Sequence, residues 1–165
     1  MAQLFTSETR TINAAAAHLY AILADYRNHH PHILPTQYFT QLKVLEGGRG
    51  EGTRFLATLR VMGKENDFQM RVTEPQPGRV LAETDVDTAL LTTFTVLPKG
   101  EAQAEVTIAT RWEGNRGVAG LVERLTVPTL LRRIYRQELR QLEEYATGLL
   151  PVALTETDNR QRAVS

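Results

Sequence analysis

An α+β fold, with helices on one face of an antiparallel sheet, is predicted for this 165-residue chain by three observations. A strand-like segment opens the sequence and runs straight into helical spacing. Six further segments then alternate with a period of two and are joined by short turns. The 3.6-residue period returns near the C-terminus and holds for roughly thirty residues.

The opening strand covers residues 3–12, rich in β-favouring threonine. Asn13 is placed as the N-cap of a helix over Ala14–Asp25, with Ala16, Leu19, Leu23 and Tyr26 on one face. Asn28–Pro35 contains His29, His30, His32 and two prolines, and reads as a second, short helical turn. Tyr38–Glu46 is the second strand, followed by a glycine-rich segment, Gly47–Gly52, expected to be a flexible hairpin tip. Thr53–Met62 and Glu65–Glu74 alternate clearly, with Gly63-Lys64 between them as a Gly-first turn. Arg79–Asp85, Ala89–Leu97 and Gln103–Glu113 complete the meander. From about Val118 a leucine stripe runs nearly to Gly148, with Pro128 expected to kink or break the helix. Residues 1–149 read as one domain and 150–165 as a disordered tail.

Composition excludes several functions. Hydrophobic residues make up 42% and charged residues 23%, which is a globular balance. Lysine and arginine (19) equal aspartate and glutamate (19), so there is no net positive charge to draw nucleic acid or an anionic membrane. The absence of cysteine removes disulfides, thiol catalysis and cysteine-based metal sites. Met1–Glu8 lacks the basic and apolar regions of a signal peptide, so a cytoplasmic protein without stable membrane insertion is expected. A homodimer is permitted and not required.

The widths of the elements suggest a cavity. Seven strands about 4.8 Å apart span roughly 30 Å, whereas one helix is only about 10–12 Å wide. The sheet must curl around the helix, and a gap lined by inward side chains is expected to remain.

Three segments resemble the START-like (SRPBCC) superfamily, which includes Bet v 1-like proteins and a polyketide cyclase/dehydrase-like branch. They are Ile12-Asn13-Ala14-Ala15 followed by Leu19–Tyr26; His30–Pro35; and Trp112-Glu113-Gly114 followed by Gly117–Leu121 and the long helix through Tyr145. The resemblance implies a helix-grip fold: a seven-stranded curved antiparallel sheet around a long C-terminal helix, with two short helices between strands 1 and 2. It implies a cavity used for different ligands and chemistries in different members, and carries over no catalytic residue.

The alternation places Phe55, Ala57, Leu59, Val61, Phe68, Met70, Val72, Val80, Ala82, Thr92, Phe94, Val96, Val106, Ile108, Thr110 and Trp112 inward, with Leu121 and Leu125 facing them from the helix. The cavity lining expected to touch a ligand is Phe55, Leu59, Phe68, Met70, Val72, Thr92, Phe94, Ile108, Thr110, Trp112, Leu121 and Leu125. Thr84, Thr92, Thr110 and Asn66 are the candidate orienting groups. All of these side chains also suit plain core packing.

No catalytic residue, metal or cofactor is predicted. His29, His30 and His32 lack helical ligand spacing and read as a polar rim. Arg132, Arg136 and Arg140 share their helix with Glu138, Glu143 and Glu144, and read as a solvated face with i,i+4 ion pairs. Glu65, Glu74, Glu83 and Asp85 are placed at strand ends or on the outer face, which counts against acid–base chemistry.

The function expected is therefore binding or transport of a small hydrophobic ligand (a lipid, quinone or polyketide-like molecule). A polyketide cyclase/aromatase-like enzyme is the alternative, and it requires a buried titratable group in the cavity. An interaction module using the histidines or the arginine ridge is a third reading.

Overall fold

The computed structural model describes residues 2–148. Its elements are β1 (Gln3–Ile12), α1 (Ala16–Ala24), a 3-10 turn (His30–His32), β2 (Phe39–Glu46), β3 (Arg54–Val61), β4 (Lys64–Gln76), β5 (Val80–Asp85), β6 (Leu91–Gly100), β7 (Gln103–Glu113) and α2 (Gly117–Ala146). The seven strands form one curved antiparallel sheet in the order β1-β7-β6-β5-β4-β3-β2. Consecutive strands from β2 to β7 pair through tight connections, and β1 closes the far edge against β7. The tail from residue 150 lies outside the described residues.

Alternation produces the concave face. Phe94 pairs with Ile108, Thr92 with Thr110, and Phe55 with Met70, so these side chains project together. Ile12, Leu19, Leu23, Val96, Val106, Ile134, Leu139 and Leu142 are almost wholly buried and form the core between sheet, α1 and α2. No described helix is long and apolar enough to cross a membrane.

Local chemistry corrects several expectations. The first helix begins at Ala16 with Ala15 at the N-cap, and Asn13 instead accepts a 3.0 Å hydrogen bond from Gln103 Nε2. The β3–β4 turn is centred on Met62 and Gly63, with φ of 50° and 76°. Two left-handed residues in succession match the strand twist, which a Gly63-Lys64 turn would not supply here. Helix α2 is assigned without interruption through Pro128. Its ion pairs run to β1, Arg10–Glu143 at 2.6 Å and Arg136–Glu8 at 3.2 Å, and no i,i+4 pair forms along α2 among the described residues.

The glycine-rich segment is docked onto the end of α1. Tyr26 N donates to Gly48 O, Gly50 N to Ala24 O, and Arg49 pairs with Asp25 at 2.7 Å. Gly48 has φ of 139° and lies against the Arg27 side chain, so a side chain there meets both strain and a clash.

Candidate functional site: an apolar cavity with an acidic floor

Between the concave sheet face and the C-terminal half of α2 lies a cavity of about 110 Å³. Phe39 and Leu42 (β2), Phe55, Ala57 and Leu59 (β3), Phe68 and Met70 (β4), Phe94 (β6), and Leu131 and Ile134 (α2) form its apolar wall. Phe39, Leu42, Leu59, Phe68 and Leu131 are only half-buried and lie toward solvent. His30, Glu83, Thr92, Thr110, Tyr135 and Glu138 supply the polar lining.

Each polar group has a definite origin. Glu83 pairs with Thr92, and Leu81 with Phe94, so Leu81 and Glu83 share the cavity face of β5. Val80, Ala82 and Thr84 point the other way. This reverses the sequence reading of that strand, because a shift of one residue exchanges its two faces.

On α2 the inward positions are Gly120, Glu123, Val127, Leu131, Ile134 and Glu138, a repeat of three or four residues. At about 100° per residue, Leu121 and Leu125 fall roughly 100–140° around the helix from Glu138. They are 58% and 69% exposed and do not line the cavity. Glu138, expected on a solvated face, is instead 2% exposed.

The polar groups contact one another. Tyr26, in the turn after α1, donates a 2.6 Å hydrogen bond from its phenol to Glu83 Oε1. Its ring stacks between His30 at 4.5 Å and Phe55 at 4.8 Å. His30 is 2% exposed, which corrects the polar-rim reading. Its Nδ1 lies 2.7 Å from Leu23 O, and because a carbonyl only accepts, Nδ1 carries the proton. His30 Nε2 then presents a lone pair, 3.9 Å from Glu83 Oε1. Thr92 and Thr110 share a 2.7 Å hydroxyl contact, and Thr110 also bonds the Tyr135 phenol.

Burial governs the electrostatics. Removal from water raises Glu83 to about 7, against the opposing hydrogen bond from Tyr26. Burial, with the nearby Glu83 charge, holds Glu138 well above the usual carboxylate range. Burial lowers His30 to about 4, so the imidazole is neutral. Glu138 Oε1 is buried and has no hydrogen-bond partner among the described residues.

Of the other side chains expected at the ligand, Phe55, Leu59, Phe68, Met70, Thr92, Phe94 and Thr110 line the cavity. Val72, Ile108 and Trp112 are buried but pack outside it. Trp112 instead donates its indole N–H to Glu123 Oε1 at 2.8 Å. Asn66 is exposed. His29 bonds the Tyr145 hydroxyl at 2.7 Å and His32 stacks on the same ring, so these two share Tyr145 while His30 alone reaches the cavity. Among the described residues no three His, Asp or Glu side chains converge as a metal-binding group.

Sequence reasoning missed Glu83, Glu138, His30 and Tyr26. A signal existed for Glu138, which lies three and seven residues beyond the inward Tyr135 and Leu131. For Glu83 the alternation Leu81-Ala82-Glu83 admitted either face.

Residues 5–147 match the family described as polyketide cyclase/dehydrase and lipid transport. The solution structure of KanY protein is 31% identical, with a TM-score of 0.77 over 89% of this chain and 99% of that one. The Zhui aromatase/cyclase from a Streptomyces species is similar in fold at 16% identity, with a TM-score of 0.75 over 92% of this chain and 98% of that chain. A START superfamily protein from Mycobacterium smegmatis is similar at 17% identity, with a TM-score of 0.70 over 88% and 98% of the respective chains. No curated protein matches by sequence.

Proposed function

Because the chain belongs to the polyketide cyclase/dehydrase and lipid transport family, we propose that it binds a small, largely apolar ligand in the cavity between its sheet and α2. The observation that carries this reading is an apolar wall closed at one end by a compact set of hydrogen-bonding groups, the arrangement of a small-molecule site. At about 110 Å³ the cavity suits a single ring better than a long lipid. An apolar cavity of about 150 Å³ admits benzene, so a ring enters this smaller one with a modest outward shift of half-buried Phe39, Leu59 and Phe68. A fused polycycle or acyl chain requires the half-buried wall of β2, β3 and α2 to move outward.

The test is thermal unfolding with single-ring aromatic fragments, for the protein and for Ala57→Leu, which adds bulk to the wall. Binding raises the melting temperature of the native chain, and the filled variant loses the response. No response from any fragment, together with no ligand in native mass spectrometry of gently purified protein, removes the reading.

A second reading, acid–base catalysis on the bound molecule in the manner of a cyclase, is favoured by one observation. Glu83, raised to about 7, faces the cavity beside a neutral His30, and a carboxyl poised near neutrality can donate or accept a proton. Catalysis would appear as conversion of a bound cyclisable β-ketone that is lost in Glu83→Gln while binding persists.

A further inference from the structure

The cavity floor is chemically one-sided. Among the described residues no lysine or arginine lines it, whereas two carboxyl side chains do. Most of its protein donors are already committed: Tyr26 to Glu83, His30 Nδ1–H to Leu23 O, and two of the three hydroxyl hydrogens of Tyr135, Thr110 and Thr92 within that group. Two acceptors are left over. Among the described residues Glu138 Oε1 is fully buried without a partner, and His30 Nε2 carries a lone pair. A buried acceptor without a donor is costly, and two acids in one buried space do not both ionise readily without a counter-charge.

A ligand that brings donors and positive charge satisfies these requirements together. Phe55 and Phe94 in the wall supply contact for an apolar body. We propose that the cavity takes a small ligand with an apolar, single-ring body and a protonated amine, the ammonium being held by Glu138 and Glu83. This rests on the ligand-binding reading above and specifies the ligand class for that site.

On binding, one acid releases its proton to solvent and its carboxylate pairs with the ammonium, while the other keeps its proton and accepts an ammonium N–H through its carbonyl oxygen, so the buried pair is neutral overall. The titratable groups facing the two acids are Tyr26 from the turn after α1, His30 from the 3-10 turn and Tyr135 from α2. Tyr26 and Tyr135 are raised by burial and stay neutral, so the released proton comes from one of the acids.

The experiment is isothermal titration of the full chain with benzylamine, benzyl alcohol and benzoate, three probes of similar shape, in two buffers of different ionisation enthalpy at pH 6. Benzylamine is expected to bind roughly 10- to 100-fold more tightly than benzyl alcohol, the range of a charge-assisted contact. Benzoate is expected to bind weakest, and the buffer dependence should show net proton release with the amine alone. Glu138→Gln should bring benzylamine close to benzyl alcohol, the amine losing far more affinity than the alcohol. Glu83→Gln is the second variant should the first not fold, and proton release by the unaltered chain is independent of both. Equal or tighter binding of the alcohol or benzoate, or indifference of the amine to a folded Glu138→Gln, overturns the amine assignment and leaves the cavity reading standing. Failure of all three probes to bind overturns both.

Discussion

Tyr26 and Glu83 are 57 positions apart in sequence, yet the phenol of one donates a 2.6 Å hydrogen bond to the carboxyl of the other in the buried interior. The contact joins the turn after α1 to the middle of the sheet. It fixes the ring that separates His30 from Phe55 and orients the one carboxyl contributed by the strands to the cavity floor.

Tyr26→Phe removes the donor and keeps the ring. The buried Glu83 oxygen loses its partner, so stability should fall by about 1–3 kcal/mol at neutral pH in urea unfolding. The Glu83 titration, followed by carboxyl NMR, should move upward, since the lost bond favoured the ionised form. A downward movement contradicts the assignment.

Glu83 also makes stability depend on pH. Its folded value is raised from an ordinary 4.5 to about 7, so the folded state holds the proton more tightly than the unfolded chain. Its contribution is fully present below about pH 4.5 and is lost as pH rises through about 7, on the order of 3 kcal/mol across the window. His30, lowered to about 4 by burial, acts in the opposite sense, and its contribution is lost as pH falls from 6.5 through 4. Glu83→Gln should therefore gain stability relative to the native chain between pH 4.5 and 7, measured as the difference between the two unfolding curves. A constant difference across that range would falsify the raised value.

Asp25 controls the acid limb. Burial opposes its ionisation, but hydrogen bonds from Arg49 and Asn28 outweigh that and hold its carboxyl at about 2. Its stabilisation is complete above the ordinary 3.8 and is lost as pH falls through 2. Asp25→Asn removes the ion pair that pins Arg49 to the end of α1, and should cost about 1–3 kcal/mol at pH 7. Amide exchange at Tyr26 and Gly50 should quicken, because these two N–H groups make the docking hydrogen bonds beside the same contact.

Gly120 lies in the first turn of α2, where alanine ordinarily favours the helix over glycine. Here a Cβ would overlap the backbone carbonyl of Asn115, which has no side-chain freedom with which to yield. Gly120→Ala should lower stability by about 1–3 kcal/mol. A rise in melting temperature would show that the segment before α2 moves aside freely.

Much of the fold was legible because it depends on local periodicity. The seven strands, the helix between β1 and β2 and the long α2 all follow from spacing and turn residues, and their observed bounds differ by a few positions at most. The same periodicity correctly placed Phe55, Met70, Thr92, Phe94 and Thr110 on the concave face. It failed at β5, where Val80–Asp85 offers too few residues, with apolar side chains at Val80, Leu81 and Ala82, for alternation to choose a face. It failed again on α2, where leucine content pointed to Leu121 and Leu125 although the buried stripe passes through Gly120, Glu123 and Glu138.

The sequence by itself determined the order of the elements, the antiparallel meander and most of the apolar wall, since hydrophobic spacing acts within each segment. Only the tertiary structure decided that Glu83, Glu138 and His30 meet in one buried space. Polar side chains carry no periodic signal of burial. Their inward placement is set by strand register and helix rotation, which depend on contacts between segments dozens of residues apart.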